Sequence, residues 1–274
     1  MPEMPEVETI RRTLENKVTG KHIKEVEMLL PRLIKWPTAH EFQAVVTHGA
    51  ITRLERRGKY LLFHLDNDCV MVVHLRMTGR LRYLTPGTTP DRFTRIVFHF
   101  TGGDALEYAD SRTLGTLYAL QPAELWRIAG LASMGPEPLS PEFTLDYFRE
   151  TMAGRKGKIK ALLLNQKLIG GLGNIYVDEC LALAGINPER VGASLSEAEV
   201  VKLHNAINQV IHQGIEHGGT TFRDYRDGDG KSGSNQHHLN VYGRKNQACN
   251  TCGTPIAKTE VAGRGTHFCP TCQR

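Results

Sequence analysis

Two Cys-x-x-Cys pairs near the end of the chain constrain its fold more than any other feature. Cys249 and Cys252 form the first pair, Cys269 and Cys272 form the second, and sixteen residues separate the pairs. This spacing fits a tetrahedral site in which four thiolates bind one zinc ion. No further ligand suggests an open coordination position, so we expect one structural Zn²⁺. We also expect no catalytic metal and no organic cofactor. The alternatives are two disulfides, which would need an oxidising compartment, or loose thiols.

The segment between the two cysteine pairs is predicted to be a β-hairpin. Residues 256–261 and 266–269 have strand-like composition, and residues 262–265 (Ala-Gly-Arg-Gly) form the predicted turn. Arg264 would then lie at the tip of a hairpin supported by zinc, where a guanidinium can bind a phosphate backbone. The alternative is an ordinary solvated arginine in a turn.

The N-terminal residues predict nucleophilic chemistry. The chain begins Met-Pro-Glu-Met-Pro-Glu, and removal of Met1 would leave Pro2 with a free secondary amine. Such an amine titrates near pH 8, so a fraction is unprotonated at neutral pH and can form an iminium ion with an electrophilic carbon. Glu3 and Glu6 are candidate proton carriers beside it. The alternative is a harmless proline in a frayed terminus.

Composition indicates a globular chain that is large enough for two domains. The 274 residues are 40% hydrophobic, with a net charge of +5 and a pI of about 8.9, which is compatible with a nucleic-acid partner. The apolar runs are too short to span a bilayer, and the acidic start argues against a signal peptide. We therefore expect a cytosolic protein in which Cys69 and Cys180 are core thiols.

Hydrophobic periodicity divides the chain into two halves. The first half predicts a helix over 5–17 followed by strands over 60–65, 70–75, 80–83, 94–100 and 105–108. Residues 135–140, which contain two prolines and a glycine, predict a stiff linker. The second half predicts helices over 143–152, 159–166, 175–184 and 196–216, the last opened by a capping box of Ser196 and Glu199.

A glycine-rich stretch over 168–174 leads directly into one of these helices. Glycines allow the backbone to approach a ligand, and a helix N-terminus presents N–H groups to an anion such as a DNA phosphate. Asn174 is predicted to be the N-cap, with the basic run 155–160 nearby. The alternative is a tight turn between two helices.

Taken together, these motifs resemble one known family. The resemblance rests on Pro2-Glu3, Arg57-Gly58-Lys59-Tyr60, His74-Leu75-Arg76-Met77, Asp110-Ser111-Arg112, the stretch 170–179 and the cysteine-containing segment 236–274. The chain resembles the bacterial formamidopyrimidine-DNA glycosylases, base-excision repair enzymes for oxidised purines, over essentially its whole length.

The resemblance implies an α+β fold. It comprises an N-terminal two-layer β-sandwich with an N-terminal helix, and a C-terminal helix-two-turns-helix domain with a four-cysteine zinc β-hairpin finger. The corresponding predicted domains are a catalytic sandwich at 2–134, a linker at 135–140, the helical DNA-binding domain with a lesion-capping loop at 141–238, and the zinc finger at 239–274.

The resemblance also implies a bifunctional DNA glycosylase and abasic-site lyase. Pro2 would attack C1′ of an extruded nucleotide, and the resulting Schiff base would lead to β- and δ-elimination. Glu3 would be the acid/base, and Glu6 would support the N-terminus. Lys59, His74, Asn174 and Arg264 match the family's phosphate binders, and Lys59 also counts among the catalytic residues.

Other matched residues concern the space left by the extruded base. Arg112 would hydrogen-bond the orphaned cytosine, and Met77 and Leu114 would wedge into the stack, although core packing is the alternative for both. Thr220, Thr221 and Arg223 are candidates for contacts of the loop 217–238 with the extruded base; the alternative is a mobile loop. The chain departs from the family at Leu114, where phenylalanine is usual, at Thr78 and at Phe93-Thr94-Arg95.

The expected partner is double-stranded DNA that contains an oxidised base or an abasic site. We expect a monomer with no membrane association, in the bacterial cytoplasm and associated with the nucleoid. Two alternatives stay open. One is a glycosylase of the endonuclease eight type, which acts on oxidised pyrimidines, and the other is a noncatalytic zinc-dependent DNA-binding protein.

Overall fold

The computed structural model describes all residues from 1 to 274, and the chain forms two compact units. The first unit comprises Met1–Ala132 and His217–Gln236, and the second comprises Ser133–Glu216 and His237–Arg274. The segment 217–236 thus packs with the first unit, whereas the sequence analysis grouped it with the helices. The predicted functional domains, which are divided by a linker at 135–140 and by the start of the zinc finger at 239, stay a prediction.

The first unit is a β-sandwich with helices packed against it. Its helices are α1 (Met4–Val18), α2 (Ala39–Val46) and α3 (Ala129–Ala132). Its strands are β1 (Ile23–Met28), β2 (Ile34–Trp36), β3 (Ile51–Arg57), β4 (Tyr60–Leu65), β5 (Val70–His74), β6 (Gly79–Leu84), β7 (Thr94–Phe100), β8 (Ala105–Asp110) and β9 (Thr116–Leu120). One sheet has the order β1-β7-β8-β6 and the other β2-β9-β5-β4-β3, and all pairs are antiparallel except β2 with β9.

The sandwich core explains the position of α1. Val7, Ile10 and Leu14 recur at helical spacing and are wholly buried in the same cluster as Phe63 and Phe98, which come from the two different sheets. Burying an apolar side chain of this size contributes roughly 1.5–3 kcal/mol. The amphipathic face of α1 therefore holds the N-terminal residues against the sandwich.

The second unit is built from helices and one hairpin. Its helices are α4 (Leu145–Met152), α5 (Ile159–Leu164), α6 (Asn174–Ala184) and α7 (Glu197–Glu216), and its strands are β10 (Ala257–Val261) and β11 (Arg264–Phe268). Ser196 and Glu199 form the predicted capping box at the start of α7. No helix in the chain is both long enough and apolar enough to cross a membrane.

Most predicted elements are confirmed, with shifts of one or two residues at their ends. Two of these shifts affect candidate site residues. The N-cap of α6 is Gly173, and Asn174 is the first helical residue instead of the cap. The hairpin turn is confined to Ala262 and Gly263, both with positive φ, so Arg264 begins β11 instead of lying within the turn. Two residues with positive φ are sufficient for a tight hairpin turn with the twist that the strands require. Cys69 and Cys180 are buried, as expected.

Candidate active site and DNA-binding surfaces

The N-terminal residues lie in a buried setting at the start of α1. Met1 is exposed, whereas Pro2, Glu3 and Glu6 are buried. One carboxylate oxygen of Glu6 accepts a hydrogen bond from the Glu3 backbone N–H at 2.7 Å, and the other accepts one from the Thr220 N–H at 2.7 Å. Glu6 therefore joins the N-terminal segment to the loop 217–236, which agrees with a supporting role rather than a role in proton transfer.

Lys59 lies in the tight turn between β3 and β4, and a salt-bridge network connects that turn to α1. Arg57 pairs with Tyr60 across the turn, and Gly58 adopts a φ of 56°. The Arg56 guanidinium donates to the Glu8 carboxylate at 2.9 Å and to the Gly58 carbonyl at 3.1 Å. One side chain thus connects the helix that carries Pro2 to the turn that carries Lys59.

Glu8 is the centre of this network and is buried. Its carboxylate accepts hydrogen bonds from the guanidinium groups of Arg11, Arg12 and Arg56. Burial opposes the charged form and would raise the pKa of Glu8, but the three arginines outweigh it and lower that pKa to about 2. Glu8 therefore stays ionised, and the network stays intact, throughout the pH range in which proteins normally work. No sequence pattern identified Glu8 or Arg56 as a site residue.

His74 ends β5 and is held as a neutral imidazole. Its Nδ1 accepts the Arg76 backbone N–H at 3.1 Å, and the Tyr60 ring contacts it edge-on, with ring centroids 4.4 Å apart. Burial, together with the positive charges of Arg76 and Lys59, lowers the pKa of His74 to about 3. Because Nδ1 is the acceptor, the single ring proton is on Nε2, which can donate a hydrogen bond to an anion.

Met77, Arg112 and Leu114 lie on two loops that Asp110 ties together. Asp110 is wholly buried and accepts hydrogen bonds from the Thr78 hydroxyl at 2.6 Å and from the Arg112 N–H at 3.2 Å. Met77 and Leu114 are 41% and 46% exposed, which excludes core packing for both side chains. The loops therefore present two apolar side chains and one guanidinium, and the hydrogen bonds to Asp110 hold the two loops together.

Two further hydrogen bonds to Asp110 help to hold these loops in place. The Gly115 N–H and the Tyr108 hydroxyl both donate to Asp110, at 2.9 and 3.2 Å. A Cβ atom at position 115 would lie 1.6 Å from the Tyr108 hydroxyl, so only glycine fits there. The Thr78 hydroxyl is engaged with Asp110, so this departure from the family contributes to the loop structure.

In the second unit, Asn174 and Arg264 lie close together. The Asn174 side-chain amide donates to the Gly265 carbonyl at 2.9 Å, and Gly265 follows Arg264 directly in β11. Arg264 is exposed, as a residue that binds a phosphate must be. The start of α6 and the start of β11 thus bring an amide and a guanidinium into one surface region.

A buried ion pair holds β11 against α5 and α6. Lys160 and Asp178 contact each other at 2.6 Å, and both side chains are wholly buried. The Lys160 ammonium also donates to the Thr266 hydroxyl at 2.8 Å and to the Gly265 carbonyl at 3.2 Å, and Asp178 accepts the His267 N–H at 2.8 Å. The basic run 155–160 is therefore not a uniform surface patch, because its last residue lies in the core.

The four cysteines form the structural zinc site. Their sulfur atoms all lie within 4.8 Å of one another. Tetrahedral Zn–S bonds of about 2.3 Å place sulfurs about 3.8 Å apart. The observed separations are 3.5 Å for Cys252 and Cys269 and 4.0 Å for Cys249 and Cys272, so the four thiolates fit the ion.

Glu179 connects the zinc-binding region to α6. Its buried carboxylate accepts the backbone N–H groups of Asn240, Val241 and Tyr242 at 2.7, 2.9 and 2.8 Å. Burial raises the pKa of Glu179 despite these bonds. Val241 packs with Ile256 and Cys269, so Glu179 fixes the chain that enters the zinc hairpin.

Comparison with known proteins identifies the family. A model described as the formamidopyrimidine-DNA glycosylase N-terminal domain matches residues 1–117, and a model of the same enzyme's H2TH domain matches 134–226. A model of a zinc finger found in FPG and IleRS matches 246–274. The chain belongs to the formamidopyrimidine-DNA glycosylase family.

Relatives of this family resemble the chain over its whole length. The formamidopyrimidine-DNA glycosylase of Symbiobacterium thermophilum is 49% identical over 273 residues, which cover 100% of this chain and 89% of the relative. That of Geobacillus kaustophilus is 47% identical, with 100% of both chains covered. A solved complex of a Lactococcus lactis FPG mutant with DNA containing Fapy-dG is 38% identical, with a TM-score of 0.93 and full coverage of both chains.

Proposed function

We propose that this chain excises oxidised purines from double-stranded DNA and cuts the strand at the resulting abasic site, with Pro2 as the nucleophile. One observation carries the proposal. A buried Pro2-Glu3 terminus opens the first helix of a glycosylase fold, and Glu6 holds it by a hydrogen bond to the Glu3 N–H. Two solved relatives, in complexes with DNA that contains Fapy-dG or a carbocyclic 8-oxo-G, support oxidised purines as the substrate class.

The reaction begins with removal of Met1, which frees the Pro2 amine. The lesion nucleotide leaves the base stack, and the amine attacks C1′ of the deoxyribose. The N–C1′ bond forms as the bond to the base breaks, the amine gives up its proton and the departing base takes one up. Protonation of O4′ then opens the sugar ring and gives an iminium ion. Glu3 exchanges protons with the sugar in this step. General acid–base catalysis of this kind contributes about 10²–10⁴-fold to the rate of an enzyme reaction.

Strand cleavage follows from the iminium ion. The positive nitrogen acidifies the proton on C2′, and its removal expels the 3′ phosphate by β-elimination. Loss of a second proton, from C4′, expels the 5′ phosphate by δ-elimination, and hydrolysis of the iminium regenerates the Pro2 amine. No step requires a metal ion, so the zinc site serves structure alone.

DNA binding is assigned to residues in both units. Lys59, as an ammonium, and His74, through its Nε2–H, bind phosphates near the lesion, and Asn174 and Arg264 bind phosphates through the second unit. Met77 and Leu114 fill the gap in the duplex, and Arg112 hydrogen-bonds the orphaned base. Thr220, Thr221 and Arg223 contact the extruded base. A cytoplasmic, nucleoid-associated location is part of the same proposal.

The test is a cleavage assay with two substrates. One duplex carries 8-oxoguanine opposite cytosine, and an otherwise identical duplex carries thymine glycol. We expect faster cleavage of the 8-oxoguanine strand. Glu3→Gln should bind that duplex and lose about 10²–10⁴-fold in rate. Glu15→Gln, on the exposed side of the same helix, is the matched control and should retain activity.

Three outcomes would contradict parts of the proposal. Faster cleavage of the thymine glycol strand would indicate the pyrimidine enzyme. Binding without cleavage of either strand, with Met1 removed, would indicate a noncatalytic protein. Undiminished cleavage by Glu3→Gln would remove its assigned role.

A further inference from the structure

The loop that carries Arg112 and Leu114 has a strained backbone at its centre. We name residues 111–115 the wedge loop, and they join β8 to β9. Thr113, which lies between the exposed Arg112 and Leu114, has a φ of 53°, in the left-handed region. A β-branched residue is rare in this region because its Cβ atom crowds the following carbonyl oxygen. Such a conformation costs free energy and persists only where other contacts hold it.

The hydrogen bonds to Asp110 hold the two ends of the wedge loop but not its centre. They engage the backbone N–H groups of Arg112 and Gly115, on either side of Thr113. The Thr113 hydroxyl instead accepts a hydrogen bond from the Arg32 guanidinium at 2.6 Å, and it is the one hydrogen bond that Thr113 makes. Because its donor is charged, this bond is stronger than one between neutral groups. Arg32 is therefore the partner that supports the strained residue.

The segment that carries Arg32 is itself fixed to the sandwich. The next residue, Leu33, is buried in the sandwich core. On the other side of Arg32, the backbone N–H groups of residues 29 and 30 donate to the Arg95 carbonyl at 2.9 and 3.1 Å. The Arg95 guanidinium in turn donates to the Asp110 carbonyl at 3.0 Å. One residue of β7 thus connects the segment that carries Arg32 to the residue that directly precedes the wedge loop.

The backbone at Thr113 sets the direction of Arg112 relative to Leu114. A change of Thr113 to an ordinary negative φ would turn the chain on one side of it against the chain on the other. An orphaned cytosine presents two neighbouring acceptors, N3 and O2, which suit the forked N–H donors of a guanidinium. Adenine presents one acceptor beside an amino group, which is itself a donor and suits the guanidinium less well. Displacement of Arg112 should therefore cost more opposite cytosine than opposite adenine.

We propose that Arg32 is a positioning residue that acts through Thr113: it directs Arg112 at the base opposite the lesion and so increases the preference for cytosine at that place. The inference rests on the proposed function. In this role the hydrogen bond of Arg32 matters, and its charge does not need to reach the DNA. A phosphate contact by Arg32 would instead favour all duplexes alike, because phosphates carry no sequence information.

The test compares single-turnover excision of 8-oxoguanine opposite cytosine and opposite adenine. Arg32→Ala removes the donor, and Thr113→Val removes the acceptor but keeps the β-branched shape. We expect each variant to lower the ratio of the rate opposite cytosine to the rate opposite adenine by about fivefold, and the double variant to lower it no further than one substitution alone. Thr113→Ser keeps the hydroxyl and is the matched control, and its ratio should stay within about twofold of the unsubstituted value.

The ratio of the two rates decides the outcome. An unchanged ratio in Arg32→Ala would overturn the inference, and so would equal losses on the two duplexes or additive losses in the double variant, as a phosphate contact predicts. An unsubstituted protein that excises 8-oxoguanine equally well opposite both bases would also overturn it, because Arg32 would have no preference to increase. Failure of the unsubstituted protein to excise 8-oxoguanine from either duplex would instead refute the proposed function.

Discussion

Replacing Lys160 with methionine should destabilise the second unit strongly, because it leaves a buried carboxylate without its counter-ion. The Lys160 ammonium donates to Asp178, Thr266 and Gly265, and each of these acceptors would lose that donor. Methionine has similar length and suits a helix but supplies no donor. Asp178 would keep only the hydrogen bond from the His267 N–H and a contact with its imidazole ring.

The magnitude follows from burial. Both side chains of the ion pair are 0% exposed, and breaking such a pair by removing one partner costs about 3–5 kcal/mol. A domain is stable by about 5–15 kcal/mol in total, so the loss is a large fraction. The double variant Lys160→Met with Asp178→Asn removes both charges and keeps an acceptor for the His267 N–H. It should therefore lose less than the sum of the single variants.

The assay is urea unfolding of the zinc-loaded protein, followed by far-UV circular dichroism. Lys158→Met is the matched control, because Lys158 forms an ion pair with Glu189 at 2.7 Å in which the side chains are 49% and 46% exposed. Exposed pairs contribute at most about 1 kcal/mol. A free energy of unfolding for Lys160→Met within about 1 kcal/mol of the unsubstituted value would refute the reasoning.

Three further predictions concern other parts of the chain. The folded-state pKa of His74, about 3, lies below the ordinary value of 6.5, because the folded protein holds the imidazole neutral. The free energy of unfolding is therefore at its full value above about pH 6.5, and it falls as the pH decreases and the unfolded chain binds a proton at His74. Unfolding free energies at about pH 7 and about pH 5 should therefore differ more in the unsubstituted protein than in His74→Gln, and equal differences would contradict this assignment. The lysine in Arg56→Lys cannot bond the Glu8 carboxylate and the Gly58 carbonyl at the same time, so the turn that carries Lys59 should shift. We expect this shift to weaken lesion binding by about tenfold with little change in melting temperature. Unchanged binding in a titration would exclude the connection between α1 and the turn. Removal of zinc with a chelator should abolish DNA binding in a mobility-shift assay while the amide signals of the β-sandwich stay unchanged in NMR spectra, and retained binding would contradict a structural role for the metal.

Local patterns in the sequence were sufficient for α1, for five strands of the sandwich, for the main helices of the second unit and for the zinc site, but they did not predict α2, α3, β1, β2, β3 or β9. The strands β4 and β7 were predicted with the observed bounds. Short runs of apolar, aromatic or β-branched residues between turn residues favour a strand over other secondary structures. The zinc ligands follow from spacing alone, since each Cys-x-x-Cys pair brings two sulfurs to one ion. These predictions needed no knowledge of which elements pack together.

Residues that act through distant partners could not be predicted in this way. Lys160 belongs to a basic run and looks solvated, and only the packing of α5 on α6 and β11 reveals its pairing with Asp178. Glu8 looks like an ordinary charge near a helix N-terminus, and its partner Arg56 is 48 residues away. The link between Thr78 and Asp110 depends on the β6–β8 register, which pairs Gly79 with Asp110. Register and packing are tertiary properties that a local pattern does not contain.

Pro2 is the proposed nucleophile, and trapping of the covalent intermediate tests this role. The purified protein, with removal of Met1 verified by mass spectrometry, is incubated with the 8-oxoguanine duplex in the presence of sodium borohydride, which reduces a Schiff base to a stable bond. Proteolysis and mass spectrometry then locate the adduct. We expect a DNA adduct on the nitrogen of Pro2. An adduct on a lysine such as Lys59, or strand cleavage with no adduct, would contradict it.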